Sequence, residues 1–179
     1  MREFTKTIWA EIKSFEELTE TEKALLEEAS IARTLAQAPY SKFWVGAAVL
    51  FGGKIAYHGC NVERCTWTQT THAEQNAIDT MIAEEGPSKI DMIAIVAAPA
   101  QMDVDFPPKE IKKNISSFEE IIVPCGHCLQ IIWENCFDDP NVKLLALLPN
   151  GEVAITTIGN ALPMRFGPTH LGIDYSKTG

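Results

Sequence analysis

A layered α/β domain built on a mixed sheet is the fold this sequence predicts. Three observations carry the prediction. Strand-length apolar segments alternate along the chain with segments of helical period. Two pairs of strand-like segments flank Gly52-Gly53 and Asn150-Gly151, dipeptides that supply the positive φ a tight hairpin needs. Asp91 to Ala98 is nearly continuous in apolar residues, as in a strand buried on both faces. Helices interleaved with strands must cover the faces of the sheet.

Taken in order, residues 1–17 mix charge and aromatics and read as an arm or short helix ahead of a domain spanning 18–179. A helix starts after Thr19, where Thr19 and Glu22 fit a reciprocal capping box. Leu25, Ala29, Ala32 and Ala36 continue it at helical spacing, and Pro39 is expected to end it. Trp44 to Phe51, Gly52-Gly53 and Lys54 to Cys60 make the first hairpin. His72 to Glu85 is a helix with Ala77, Ile78, Met81 and Ile82 on one face, and Asp91 to Ala98 is the buried strand. The stretch of about 99–120, with three prolines and a Lys-Lys pair, reads as an insertion, with a short helix near 109–114. Glu120 to Val123 reads as a strand end. Pro124-Cys125 opens a helix to about Cys136, because proline is tolerated at a first turn. Val142 to Leu148 and Glu152 to Ile158 close the second hairpin. The strands number five.

Composition limits the function. The 179 residues suit one domain with a core large enough to fold unaided. A net charge of −9 and the lack of any basic cluster disfavour nucleic acid and anionic membranes. No apolar run nears the ~18 residues of a membrane helix, and Met1 to Lys6 lacks the apolar core of a secretory signal. Five cysteines, an odd number without a framework, point to a reduced cytoplasmic protein. A small-molecule substrate fits these limits.

Two segments carry chemistry: Thr71-His72-Ala73-Glu74-Gln75 and Val123-Pro124-Cys125-Gly126-His127-Cys128, each at the start of a helix. Cysteines at i and i+3 share one side of a first turn, where the helix dipole favours thiolate. Two thiolates and an imidazole form a zinc site, with a fourth position left for water. Glu74 would then handle the proton that such a water releases. On an ideal helix i and i+2 diverge by about 200°. His72 and Glu74 therefore converge only if the helix begins at or after His72.

These segments resemble the zinc-dependent cytidine deaminases, whose pattern is H-x-E followed by P-C-x-x-C. Further stretches are similar to the free-nucleoside branch: Pro39 to Ala48 to its PYSxFxVGAA strand, Gly59 to Glu63 to its GCNxE segment, and Leu162 to Pro168 to its LPxxFGP. The resemblance spans roughly residues 38–171 and implies a three-layer α/β/α deaminase-like domain. It implies Zn²⁺ bound by His72, Cys125 and Cys128, with Glu74 moving protons between water, ring N3 and the leaving amine. Asn61 and Glu63 would hold the ribose, Phe43 the base, and the Ala73 N–H a base oxygen. Phe166, and with it Trp67, would reach a neighbouring subunit's site, which implies a homo-oligomer, typically a tetramer.

The sequence departs from the family at several places. His72 stands where tetrameric relatives usually have Cys, and Gln75 where they have Arg. A zinc with two thiolates and a neutral imidazole is uncharged and needs no nearby cation, so the two changes agree with each other. Leu129 replaces a frequent Arg, and Arg64-Cys65 the usual Asn-Ala. With the insertion, Leu129 is expected to leave room beside the amine, so that N4-substituted cytidines or a nucleoside antibiotic are alternative substrates. Cys60 and Cys136 read as small buried hydrophobes, and His127 as lying outside the ligand set. A different class also fits Cys-Gly-His-Cys at a helix start, a thiol–disulfide oxidoreductase using Cys125 and Cys128. That reading leaves His72-Ala73-Glu74 without a task.

Overall fold

The computed structural model describes residues 1–102, 104, 106–108 and 115–174. The predicted helix near 109–114 lies outside the described residues. In chain order the elements are β1 (Glu11–Lys13), α1 (Glu20–Thr34), β2 (Phe43–Phe51), β3 (Lys54–Cys60), α2 (Ala73–Glu85), β4 (Met92–Pro99), α3 (Gly126–Asn135), β5 (Lys143–Leu147), β6 (Val153–Thr157) and the short α4 (Ile158–Ala161). One sheet runs in the order β1-β6-β5-β4-β2-β3. Among the described strands of this sheet, β4 and β5 pair in parallel, joined by the crossover through α3, and the other neighbours are antiparallel. In particular, β5 and β6 form the antiparallel hairpin that Asn150-Gly151 predicts.

The strand period of two sorts side chains into two cores. Ala47, Val49 and Ile93 face α2 and α3, where Ala77, Ile78, Met81, Ile132 and Trp133 complete one cluster. Ala48, Leu50, Ala94 and Val96 face the other way, against Leu25, Leu26 and Ala29 of α1. The result is three layers, α1, sheet, then α2 with α3. Leu25, Leu26, Ile78, Met81 and Ile132 are fully buried. Each such side chain stabilises the fold by roughly 1.5–3 kcal/mol in transfer terms.

Three expectations are corrected. The sheet has six strands, because residues 11–13 of the expected arm pair with β6 and cover an edge whose N–H and C=O groups need partners. Helix α1 opens at the predicted capping box, with Glu22 N donating to Thr19 Oγ1 and Thr19 N to Glu22 Oε2. It stops at Thr34, five residues before Pro39. Gln37 leaves helical geometry to exchange backbone bonds with the chain beyond β3, donating to Asn61 O and accepting from Glu63 N. Residues 120–123 form no strand. A 3-10 turn at Phe118–Glu120 precedes an irregular run to Cys125.

Close packing of α2 on β3 places the site. A Cβ added to Gly59 would lie 2.7 Å from Asn76 Cβ and closer still to Ala77 N, so only glycine lets the helix sit this near the strand. Asn76 Nδ2 donates to Cys60 O across the same contact at 3.0 Å.

Candidate active site

His72 is the N-cap of α2, with extended dihedrals of φ −80° and ψ 155°. Its side chain therefore leaves the backbone before the helical rotation begins, while Glu74 projects from the first turn. That geometry removes the divergence expected of i and i+2. Cys125 is likewise the N-cap of α3, at φ −64° and ψ 163°, and Cys128 follows in the first turn. The two helices pack with their N-termini together, and His72 Nδ1 lies 3.4 Å from Cys125 Sγ and 3.3 Å from Cys128 Sγ. All three donor atoms fall within 4.8 Å of one another.

The donor set fits zinc. Zn–N and Zn–S bonds of about 2.0 and 2.3 Å, meeting near the tetrahedral angle, separate their donors by about 3.5 Å. The electrostatics agree. The sequence leads one to expect thiolates favoured by the helix dipole, yet burial pushes the Cys128 thiol far up, and the adjoining Glu74 and Cys125 push the same way. A thiolate there needs a compensating cation, and a divalent metal supplies one. A dithiol redox pair has no use for an imidazole touching both sulfurs, and nothing supports the oxidoreductase reading.

Next to the donors opens a cavity of about 550 Å³. His72, Ala73, Glu74 and Cys125 line the metal end; Phe43, Asn61, Glu63 and Trp67 line the other. It lies over the carboxyl-terminal half of β4, whose Ile95 and Ala97 line it. Glu74 is buried, 6% exposed. Asn61 is braced against β2, its Oδ1 accepting from Val45 N and its Nδ2 donating to Phe43 O, both at 2.9 Å. Each end of the amide uses half its capacity in this way. Glu63 Oε2 accepts from Tyr40 N at 2.9 Å and Ser41 N at 3.1 Å. Burial works to raise the Glu63 pKa, but the bonds from Ser41 and Tyr40 outweigh it and hold the carboxyl below its ordinary range. Trp67 takes a left-handed φ of 60° inside a turn closed by Trp67 N on Arg64 O, with its ring at the rim 5.6 Å from Tyr40.

One expectation about this region changes, that for Leu129. Trp67 lines the cavity of its own chain, whereas Phe166 does not line it. Phe166 stands 57% exposed, stacked on His170, with its carbonyl accepting from Gln130 Nε2. Leu129 is buried in the core between α2 and α3 and opens no room at the site. Cys136 is fully buried and Cys60 half-buried, neither among the donors, and His127 lies beside Gln75 with Nε2 3.4 Å from Oε1. Sequence reasoning missed Val45, Ile95 and Ala97, which the period of two in β2 and β4 could have revealed. It also missed Thr70, Ile122 and Val123, which no periodicity marks.

Residues 19–142 match the family model for the cytidine and deoxycytidylate deaminase zinc-binding region. The chain is 33% identical over 147 residues to a cytidine deaminase of Sporosarcina psychrophila, covering 82% of this chain and 92% of that one. It is 32% identical over 142 residues to a cytidine deaminase of Halalkalibacterium halodurans, covering 79% and 91%. Among solved structures, the cytidine deaminase of Burkholderia pseudomallei superposes with a TM-score of 0.62 at 31% identity, over 83% of this chain and all of that one. With the donor triad, the glutamate and the three-layer sheet in place, the chain belongs to the zinc-binding cytidine and deoxycytidylate deaminase family.

Proposed function

We propose that this protein hydrolyses cytidine or deoxycytidine to the uridine product, consuming one water and releasing ammonia. One observation carries the reading: the buried Glu74 lines one cavity with His72 and Cys125, two of the three convergent zinc donors, while Asn61 and Glu63 line the same cavity at its far end. Zinc held by His72, Cys125 and Cys128 would act as a Lewis acid that brings the ionisation of water toward neutral pH.

Glu74 is the general acid and base. It accepts one proton from the attacking water and passes it to ring N3, then accepts the proton of the resulting C4 hydroxyl and passes it to the amine, which leaves as ammonia, so its charge is restored each cycle. Burial keeps solvent from competing for that proton. The Ala73 N–H, one of the unpaired amides of the first turn of α2, donates to the base oxygen. Phe43 packs against the pyrimidine. Asn61, with a second N–H and lone pair to offer, and Glu63 bind the ribose hydroxyls, while Trp67 covers the rim. Phe166, exposed on its own subunit, is placed to complete a neighbour's cavity in a homotetramer. A role in pyrimidine salvage in the cytoplasm, where the cysteines stay reduced, accords with these assignments.

The test is uridine formation from cytidine by the zinc-loaded protein, with Glu74→Ala as comparison. The variant should keep its zinc and lose ~10²–10⁴-fold in kcat, the usual share of general acid–base catalysis. Wild-type protein that holds zinc and leaves cytidine untouched would defeat the proposal, and so would near-normal turnover in the variant.

A further inference from the structure

Residues 1–18 precede the stretch that matches the family model, yet they are built into the fold. Beyond the β1–β6 pairing, Thr156 Oγ1 donates to Trp9 O and Lys6 Nζ to Gly159 O, both at 2.6 Å. Phe15 meets Phe106 edge to face, with ring centroids 5.2 Å apart, and so ties this segment to the stretch that follows β4. The same segment borders a cavity where that stretch ends. Ile8, Trp9 and Ala10 line a largely apolar cavity of about 170 Å³ together with Phe118, Ile121 and Val123, and Thr156, Asn160 and Ala161 complete its lining. Val123 also lines the substrate cavity, together with its neighbour Ile122.

The run 121–125 belongs to no helix or strand, so no ladder of backbone bonds fixes it. Ile121 N donates to Phe118 O at 3.1 Å, a single 3-10 bond. Packing must hold the rest: residues 121–124 lie over Ile95, Leu144, Ala146 and Ala154 of the sheet, and Ile121 and Val123 also border the cavity that Trp9 lines. We infer that Trp9 is a positioning residue for substrate binding: its ring holds residues 121–123 in place, and so sets the wall that Ile122 and Val123 present to the pyrimidine beside the zinc ligand Cys125. Trp9 touches neither substrate nor metal, and its effect is on binding rather than on the proton transfers of Glu74. The inference rests on the deaminase reading for its kinetic consequence alone.

The experiment compares Trp9→Ala and Trp9→Phe with the wild type, all full-length and zinc-loaded. In Trp9→Ala, amide hydrogen exchange over residues 117–124 should quicken by about 10-fold, while exchange in α2 and β4 is unchanged. The KM for cytidine should rise about 5- to 10-fold with kcat kept within about twofold, because binding must now order two side chains that were held before. Trp9→Phe, which keeps an aromatic ring, should restore most of both. Unchanged exchange over 117–124 in Trp9→Ala overturns the inference, and so does a loss of zinc or a loosening of the whole fold. If the wild type itself makes no uridine, the deaminase reading fails, and the exchange comparison still decides whether Trp9 holds the wall.

Discussion

Gly59→Ala tests the placement of the catalytic helix from a position outside the cavity lining. The added Cβ would sit 2.7 Å from Asn76 Cβ and C, and closer to Ala77 N, where ordinary contact begins at 3.4 Å. Relieving the overlap with Ala77 N moves the first half of α2 away from β3 by roughly 1 Å, since backbone and a Cβ cannot rotate aside as a flexible side-chain tip can. His72, Ala73 and Glu74 ride on that half, while Cys125 and Cys128 ride on α3. The donor set would be pulled apart and Glu74 shifted relative to the base. A displacement approaching 1 Å at a reacting centre costs about 10²-fold in rate. Overpacking of this kind costs ~1–3 kcal/mol of stability. For a chain of this size each kcal/mol lowers Tm by about 2–4 °C. The assay is the fall in ultraviolet absorbance as cytidine becomes uridine, run beside a melting curve on the same sample. We expect kcat/KM to drop about 100-fold while the protein stays folded at the assay temperature. Wild-type kcat/KM in Gly59→Ala would refute the argument that close approach of α2 to β3 positions the site.

Two further predictions follow from named contacts. Cys128→Ser should bind well under one zinc per chain by elemental analysis and lose turnover with it, since serine is a far poorer zinc ligand than thiolate; a fully metallated, active variant would remove Cys128 from the donor set. Glu22 is buried, which works to raise its pKa, but the Thr19 amide, the Lys143 ammonium and the Thr19 hydroxyl outweigh burial and hold the carboxyl below its ordinary 4.5. A folded pKa below the unfolded one gives stability that is complete above pH 4.5 and is lost as pH falls through the lowered value. Glu22→Ala should therefore lower Tm at pH 7 by an amount set by a loss of about 1 kcal/mol for a broken cap. The gap from wild type should narrow below pH 4, and a constant gap from pH 3 to pH 7 would contradict the assignment.

What could be read from the sequence is what local chemistry determines. Thr19 and Glu22 announce a helix start because they satisfy each other's amides, and Gly52-Gly53 announces a turn because both residues take positive φ, 58° and 67°. His72 and Cys125 were legible as ligands through the motif, and their placement as N-caps follows from where the helical pattern begins. What could not be read depends on partners distant in sequence. Glu11-Ile12-Lys13 has no strand pattern and becomes β1 only because β6 offers an open edge. Helix α1 ends early because Gln37 finds Asn61 and Glu63, 24 and more residues away. Ile122 and Val123 look like any short apolar run, and only the approach of β4 and α2 turns them into the wall of a cavity.

The substitution of Gln75 for a cation is intelligible only with the whole charge count of the site. Burial and the neighbouring Glu74 make a Cys128 thiolate costly on its own, so the site must supply positive charge from somewhere. Zn²⁺ held by two thiolates and a neutral imidazole would leave the donor set neutral. A third thiolate in place of His72 would make that set negative, and a cation at position 75 would be needed to offset it. Instead Gln75 Oε1 faces His127 Nε2 at 3.4 Å, and the His127 ring lies edge-on to His72 at 5.4 Å. An amide at position 75 brings no net charge to the donor set. A guanidinium at position 75 would add a positive charge that two thiolates and one imidazole around a divalent metal do not require, and the amide avoids adding it.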